Sequence, residues 1–203
     1  MSYARPCVVI VGGINGSGKS TFARDAAGTT LLLGQTAINP DELSKQAQAE
    51  LPSLNDPGAS LAGAERAEKA VWRAIAEGRS VAVETVLSSD KFIPVLAAAR
   101  KRQYRTRLIF VALPSIDEAL ARIASRVLKG GHDVPSERVR ARWSRAHDNL
   151  MRLLPLVDDV LVFSNSAAYP ILVADRTGKG GKFQLREVDA LPEVSKRLAL
   201  LGR

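Results

Sequence analysis

Gly13-x-x-x-x-Gly18-Lys19-Ser20, within "GGINGSGKST", has the residue types and spacing needed to hold a phosphate chain. Glycines let the backbone curl so that its N–H groups converge on phosphate oxygens. A helix opening at Lys19 would aim its positive end at the same oxygens. Lys19 supplies a cation for the β- and γ-phosphates, and the Ser20 hydroxyl suits Mg2+. Asn15, Gly16, Ser17 and Thr21 complete the cradle. The ligand this implies is the tail of ATP or GTP, with Mg2+.

Two carboxylates come next. Asp41, in "INPDEL", follows a short predicted strand and opens a predicted helix. It is a candidate base for a substrate hydroxyl, and equally an acid stabilised at a helix N-terminus. Glu84 and Thr85, in "VETV", end another predicted strand. A carboxylate ending an apolar strand points to substrate binding.

Cations follow. Residues 100–145 hold twelve Lys/Arg and four acids, so the whole net charge of +8 falls there. Such a field favours polyanionic partners; it also fits a solvated surface that keeps the chain soluble. Arg122, Arg126 and Lys129 recur on one predicted helix face, and Arg138, Arg142 and Arg145 on the next, with "KGGHDVP" between them. Two basic faces about a glycine hinge suggest a lid, residues 122–150, that closes over phosphates. Two amphipathic helices with solvated outer faces would read the same way. His132, beside the glycines, is a candidate substrate contact.

These residues need a scaffold. Strands are expected at 8–11, 36–39, 80–85, 106–112 and 160–164, and most are apolar throughout. They alternate with helices at 19–27, 40–51, 61–77, 92–101, 116–129, 136–153 and 191–201. Segments 171–174 and 182–185 could form a late hairpin. The pattern predicts an α/β protein, a P-loop NTPase of three α/β/α layers with a mainly parallel five-stranded sheet and a helical lid. Ligands bind such sheets at the carboxyl ends of the strands, where the motifs fall. No linker or repeat divides residues 1–203, which read as one kinase domain.

The pattern also narrows the class. No Asn-Lys-x-Asp base-reading motif is present, which argues against a GTPase. The strand at 108–113 ends without an acid before Asp117, unlike proteins that couple hydrolysis to motion. A small-molecule kinase needs only an acid near the acceptor, cations around the phosphoryl group and a lid. Few aromatics make nucleic acid a weak candidate partner. One cysteine, no secretory pattern and no long apolar run lead us to expect a cytoplasmic protein with no membrane contact.

Together "GGINGSGKST", "INPDEL", "AVETVLSS", "RLIFVAL", "SRVLKGGHDVPSERVRARWSRAHDNL" and "FSNS" resemble the zeta-toxin family of P-loop kinases. The resemblance implies transfer of the ATP γ-phosphoryl to a hydroxyl, in that family the 3′-hydroxyl of the amino sugar of UDP-N-acetylglucosamine. It also implies an antitoxin partner. By position, Lys19 and Ser20 would bind ATP and Mg2+, Asp41 would be the base and Glu84 would contact the sugar. Arg126 with Arg142 or Arg145 would clamp phosphates, and Asn165 would lie near the nucleotide base. Val86 stands where related sequences tend to carry a hydroxyl, which weakens the sugar-nucleotide assignment.

Overall fold

The computed structural model describes residues 5–131 and 133–201. One sheet runs in the order β2-β3-β1-β4-β5-β6-β7. Its first five strands are parallel: β2 (Ala37–Ile38), β3 (Val81–Thr85), β1 (Cys7–Gly12), β4 (Arg105–Ala112) and β5 (Asp159–Ser164). The late hairpin forms and joins the same sheet. β6 (Ile171–Arg176) runs antiparallel to β5, and β7 (Gln184–Leu185) antiparallel to β6. The expected five parallel strands thus become part of a seven-stranded sheet.

The central strands are apolar on both sides because both faces are covered. Val8 and Ile10 of β1 and Leu108 and Phe110 of β4 face one core with helices α4 (Asp56–Ala76), α5 (Phe92–Lys101), α7 (Ser136–Leu153) and α8 (Pro192–Leu201). Val9 and Val11 of β1 and Ile109 and Val111 of β4 face the other, with Phe22 of α1 (Lys19–Arg24) and Leu32. Leu108 is fully buried, so Leu108→Ala is expected to cost about 2–5 kcal/mol. A third cluster joins Ile14 of the phosphate loop to Ala119 and Ile123 of α6 (Ile116–Leu128) and Val139 and Ala146 of α7. The two basic helices are therefore packed onto the loop through their apolar sides.

Helix ends follow local chemistry. Asp25 interrupts the single helix expected after the loop. Its extended backbone ends α1, and its carboxylate accepts from Gly28 N at 2.6 Å, capping α2 (Ala26–Leu31). Gly28 thus lies inside a helix rather than closing one. Asn55 likewise accepts from Gly58 N, so α4 begins at Asp56, five residues before the apolar periodicity does. α3 (Pro40–Glu50) starts where Pro40, Asp41 and Glu42 predict, capped by Asn39.

Candidate phosphate-binding and acid site

β1 lies between β3 and β4, with Gly12 level with Thr85 on one side and Phe110 on the other. The turn after β1 therefore emerges among the carboxyl ends of three strands, the expected place for a ligand. Gly13 passes so close to β4 that a Cβ would sit 2.2 Å from Val111 O. Gly18 has φ +87°, and a Cβ there would strike Asn165 Nδ2. Both glycines are required by close approach of neighbouring chain, and Gly18 also by its left-handed backbone.

Asn165 donates to Ser17 O at 2.8 Å, and its own carbonyl accepts from Arg122 at 2.6 Å. This ties the end of β5 and α6 to the underside of the loop. Arg122, which also pairs with Glu118, thereby holds the loop's support. Ser17 is fully buried beneath the loop, Asn15 is buried, Gly16 half-buried and Thr21 exposed on the first turn of α1.

Lys19 folds back over the loop and donates to Ile14 O at 2.9 Å. Desolvation of the ammonium pushes its pKa down to about 8; Glu84 and Asp41 pull it up, while Arg126 and Arg142 oppose them. These five groups share one field at the mouth of the loop. Ser20 Oγ donates to Glu84 Oε2 at 2.5 Å. Burial raises the Glu84 pKa, and the Ser20 bond and Lys19 work against that rise. Asp41 acts on Lys19, Glu84 and Arg142 through space.

Glu84 answers the question of the missing acid. The strand at 108–113 is one neighbour of β1 and carries none, but β3 is the other neighbour and carries Glu84 next to its last residue, Thr85. Asn39 was not singled out from the sequence, yet it bridges the site. It accepts from Asp41 N at 2.9 Å and donates to Ser20 Oγ at 3.2 Å and Glu84 Oε1 at 3.4 Å. The signal was present, because Asn before Pro-Asp is a helix cap.

Of the lid arginines, Arg142 reaches the loop, donating to Asn15 Oδ1 at 3.0 Å. Burial and its neighbours Arg138 and Arg145 lower its pKa. Arg145 is exposed and donates to Ala141 O within its own helix. Arg126 lies close enough to act on Lys19. Thr85 Oγ1 accepts from Leu87 N at 3.1 Å, supporting Leu87 in a left-handed conformation (φ 60°). Asn149 of α7 grips the same turn by donating to Leu87 O at 3.0 Å. His132 lies outside the described residues.

A serine hydroxyl and a carboxylate in contact at the loop's exit, with a second acid nearby, form a donor set of hard oxygens. That set fits Mg2+ beside a phosphate chain. Among the described residues no cluster of three or more His, Cys, Asp or Glu could hold a metal unaided. A phosphate chain would have to complete the coordination.

Residues 8–153 match the AAA domain family (AAA_33). The chain belongs to that family. This AAA domain has a P-loop NTPase-like α/β fold with a mainly parallel sheet. It is 29% identical over 134 residues to an "uncharacterized protein" of Haemophilus influenzae, a stretch that is 64% of this chain and 88% of that one. It resembles the crystal structure of AvrRxo1-ORF1:AvrRxo1-ORF2 with ATP at TM-score 0.72 and 17% identity, over 95% of this chain and 64% of that one. It also resembles the PezAT chromosomal toxin-antitoxin system of Streptococcus pneumoniae at TM-score 0.62 and 17% identity, over 100% of this chain and 86% of that one. The domain thus spans about 64% of the AvrRxo1 chain. At such identities both likenesses are of fold. Among the described residues no helix is long and apolar enough to cross a membrane.

Proposed function

We propose that this chain is an ATP- and Mg2+-dependent kinase of the zeta-toxin type, moving the γ-phosphoryl of ATP to a hydroxyl. One observation carries the reading: Lys19, the Ser20–Glu84 pair, Asp41, Arg126 and Arg142 meet at the carboxyl ends of β1 and β3. A second acid beside the phosphate site can accept the proton of an attacking hydroxyl.

In this reading the loop amides and Lys19 hold the triphosphate. Ser20 would hold Mg2+, with Glu84 fixing the hydroxyl, and the ion would supply positive charge beside the phosphate chain. Asp41 takes the proton of the acceptor hydroxyl as its oxygen bonds to the γ-phosphorus and the bond to ADP breaks. Arg142, anchored on Asn15, and Arg126 offset the charge on the equatorial oxygens. The basic helices seal the loop from water through their contacts with Ile14.

The finer acceptor is the amino-sugar hydroxyl of UDP-N-acetylglucosamine, supported by the ordered sequence motifs. Glu84 then has two tasks, since the same carboxylate would steady Ser20 and face the sugar. A protein inhibitor belongs to the same reading, by analogy with the PezAT toxin-antitoxin pair. Asp41→Asn tests the assignment of the base. It is expected to keep ATP binding and lose transfer; transfer at the wild-type rate would remove Asp41 from that role.

A further inference from the structure

The basic stretch that looks continuous in sequence is divided by the fold. Arg126 and Arg142 lie at the phosphate loop, but Arg105 and Arg107 begin β4, at the other end of the strand from Ala112. Eight residues of strand separate the two ends by roughly 23 Å. At this far pole the structure has a cleft of about 780 Å³, lined by Arg5, Arg100, Arg105, Arg107 and Lys179.

Four separate elements deliver these cations. Arg5 precedes β1, Arg100 lies in the last turn of α5, Arg105 and Arg107 open β4, and Lys179 lies in the turn after β6. Cations near the end of α5 could be explained by the helix dipole alone. That explanation does not extend to Arg5 or Lys179, nor to the arginines on the strand.

The acids at this pole are already committed. Asp159 is buried and accepts from Arg105 at 2.7 and 3.0 Å, from Arg107 at 3.3 Å and from Gly178 N at 3.2 Å. Asp158 accepts from Thr106 N and Oγ1 at 2.8 and 2.9 Å. Arg5, Arg100 and Lys179 have no carboxylate partner among the described residues. The inner wall carries a second mark. Arg107 is largely buried and donates to Leu31 O, yet its Nε is enclosed without an acceptor. An enclosed donor left unmatched is destabilising, and an anion at this wall would relieve it.

We propose that this cleft is a second anion site, for a small ligand carrying two or more phosphate groups. Three unneutralised cations around a concavity match several negative charges at close spacing. The volume lies within the range of small-molecule sites, about 300–1,000 Å³. Tyr104 and Leu156 add apolar lining beside the cations, and the volume suits a compact ligand. Cys7 lines it as well, with burial pushing its thiol up to about 11, so it stays protonated at neutral pH.

The test is a titration of the 15N-labelled full chain with inorganic tripolyphosphate, followed by amide shifts. The expected result is saturable shifts at Thr106, Gly178 and Lys179, retained in Lys19→Ala. Combined Arg100→Glu and Lys179→Glu should weaken them about tenfold or more. Both side chains are exposed; if the pair disturbs the fold, Arg5→Gln makes the same comparison. Shifts confined to the phosphate loop, or unaltered by the charge changes, would overturn the site. Tighter binding of a 5′-phosphorylated oligonucleotide, with shifts spreading along α5, would overturn the small-ligand assignment in favour of nucleic acid.

Discussion

Ser20 Oγ and Glu84 Oε2 are 2.5 Å apart, joining the first turn of α1 to the end of β3 across 64 positions of sequence. The parallel pairing of β1 with β3 makes this contact possible, because it sets Val11 level with Glu84 just before the loop begins. Whether it joined Ser20 as a ligand or only oriented the hydroxyl, Glu84 would strengthen a metal held there; orienting partners of this kind are worth about 10–100-fold in metal affinity.

Glu84→Gln keeps the side chain's shape and removes its charge. The Mg2+ concentration for half-maximal activity should rise about tenfold. The measurement is activity against Mg2+ at saturating acceptor. If the acceptor KM rose and the Mg2+ curve did not move, Glu84 would be a substrate contact alone.

Asn39 has a separable double role. Asn39→Ala should cost about 1 kcal/mol, seen in thermal unfolding, because it removes the cap of α3. Asn39→Asp keeps the cap but loses the donor to Ser20 and sets a second negative charge near Glu84. It should therefore unfold close to the wild-type temperature while losing activity. Equal activity in Asn39→Asp and wild type would reduce Asn39 to a cap.

Lys19 sets a pH dependence. Its native pKa, near 8, lies below the value of about 10.4 in an unfolded chain. Between these values the unfolded chain binds more protons, so the empty protein should gain stability as pH rises through that window. Nucleotide phosphates favour the charged ammonium and should draw a proton back on. Calorimetry of ATP binding at pH 8.5, in buffers of different ionisation enthalpy, should show net proton uptake that Lys19→Ala abolishes. Identical enthalpies in all buffers would contradict it.

The phosphate loop, Asp41 and Glu84 were legible in sequence because each is marked locally, by glycine spacing or by an acid at the end of an apolar strand. What escaped was set by side-chain capping or by strand order. Asp25 splits a helix whose apolar pattern runs on, and Asn55 starts one before its pattern appears. Asn39 shows its cap in sequence, but its reach to Ser20 exists only because β2 adjoins β3 and β3 adjoins β1. The same order makes β3 a neighbour of the loop strand, which the apolar strength of β4 obscured. Charge read along residues 100–145 merges two groups that β4 holds at opposite poles of the sheet.

The most direct test of phosphoryl transfer follows the label of γ-labelled ATP with Mg2+. Acceptors would be UDP-N-acetylglucosamine, other sugar nucleotides, small alcohols and a 5′-hydroxyl oligonucleotide, with Lys19→Ala as the blank. Label on the amino-sugar nucleotide, absent from the blank and from Asp41→Asn, is the expected result. Label released only to water would contradict the kinase reading, and label only on another acceptor would keep the kinase and discard that sugar.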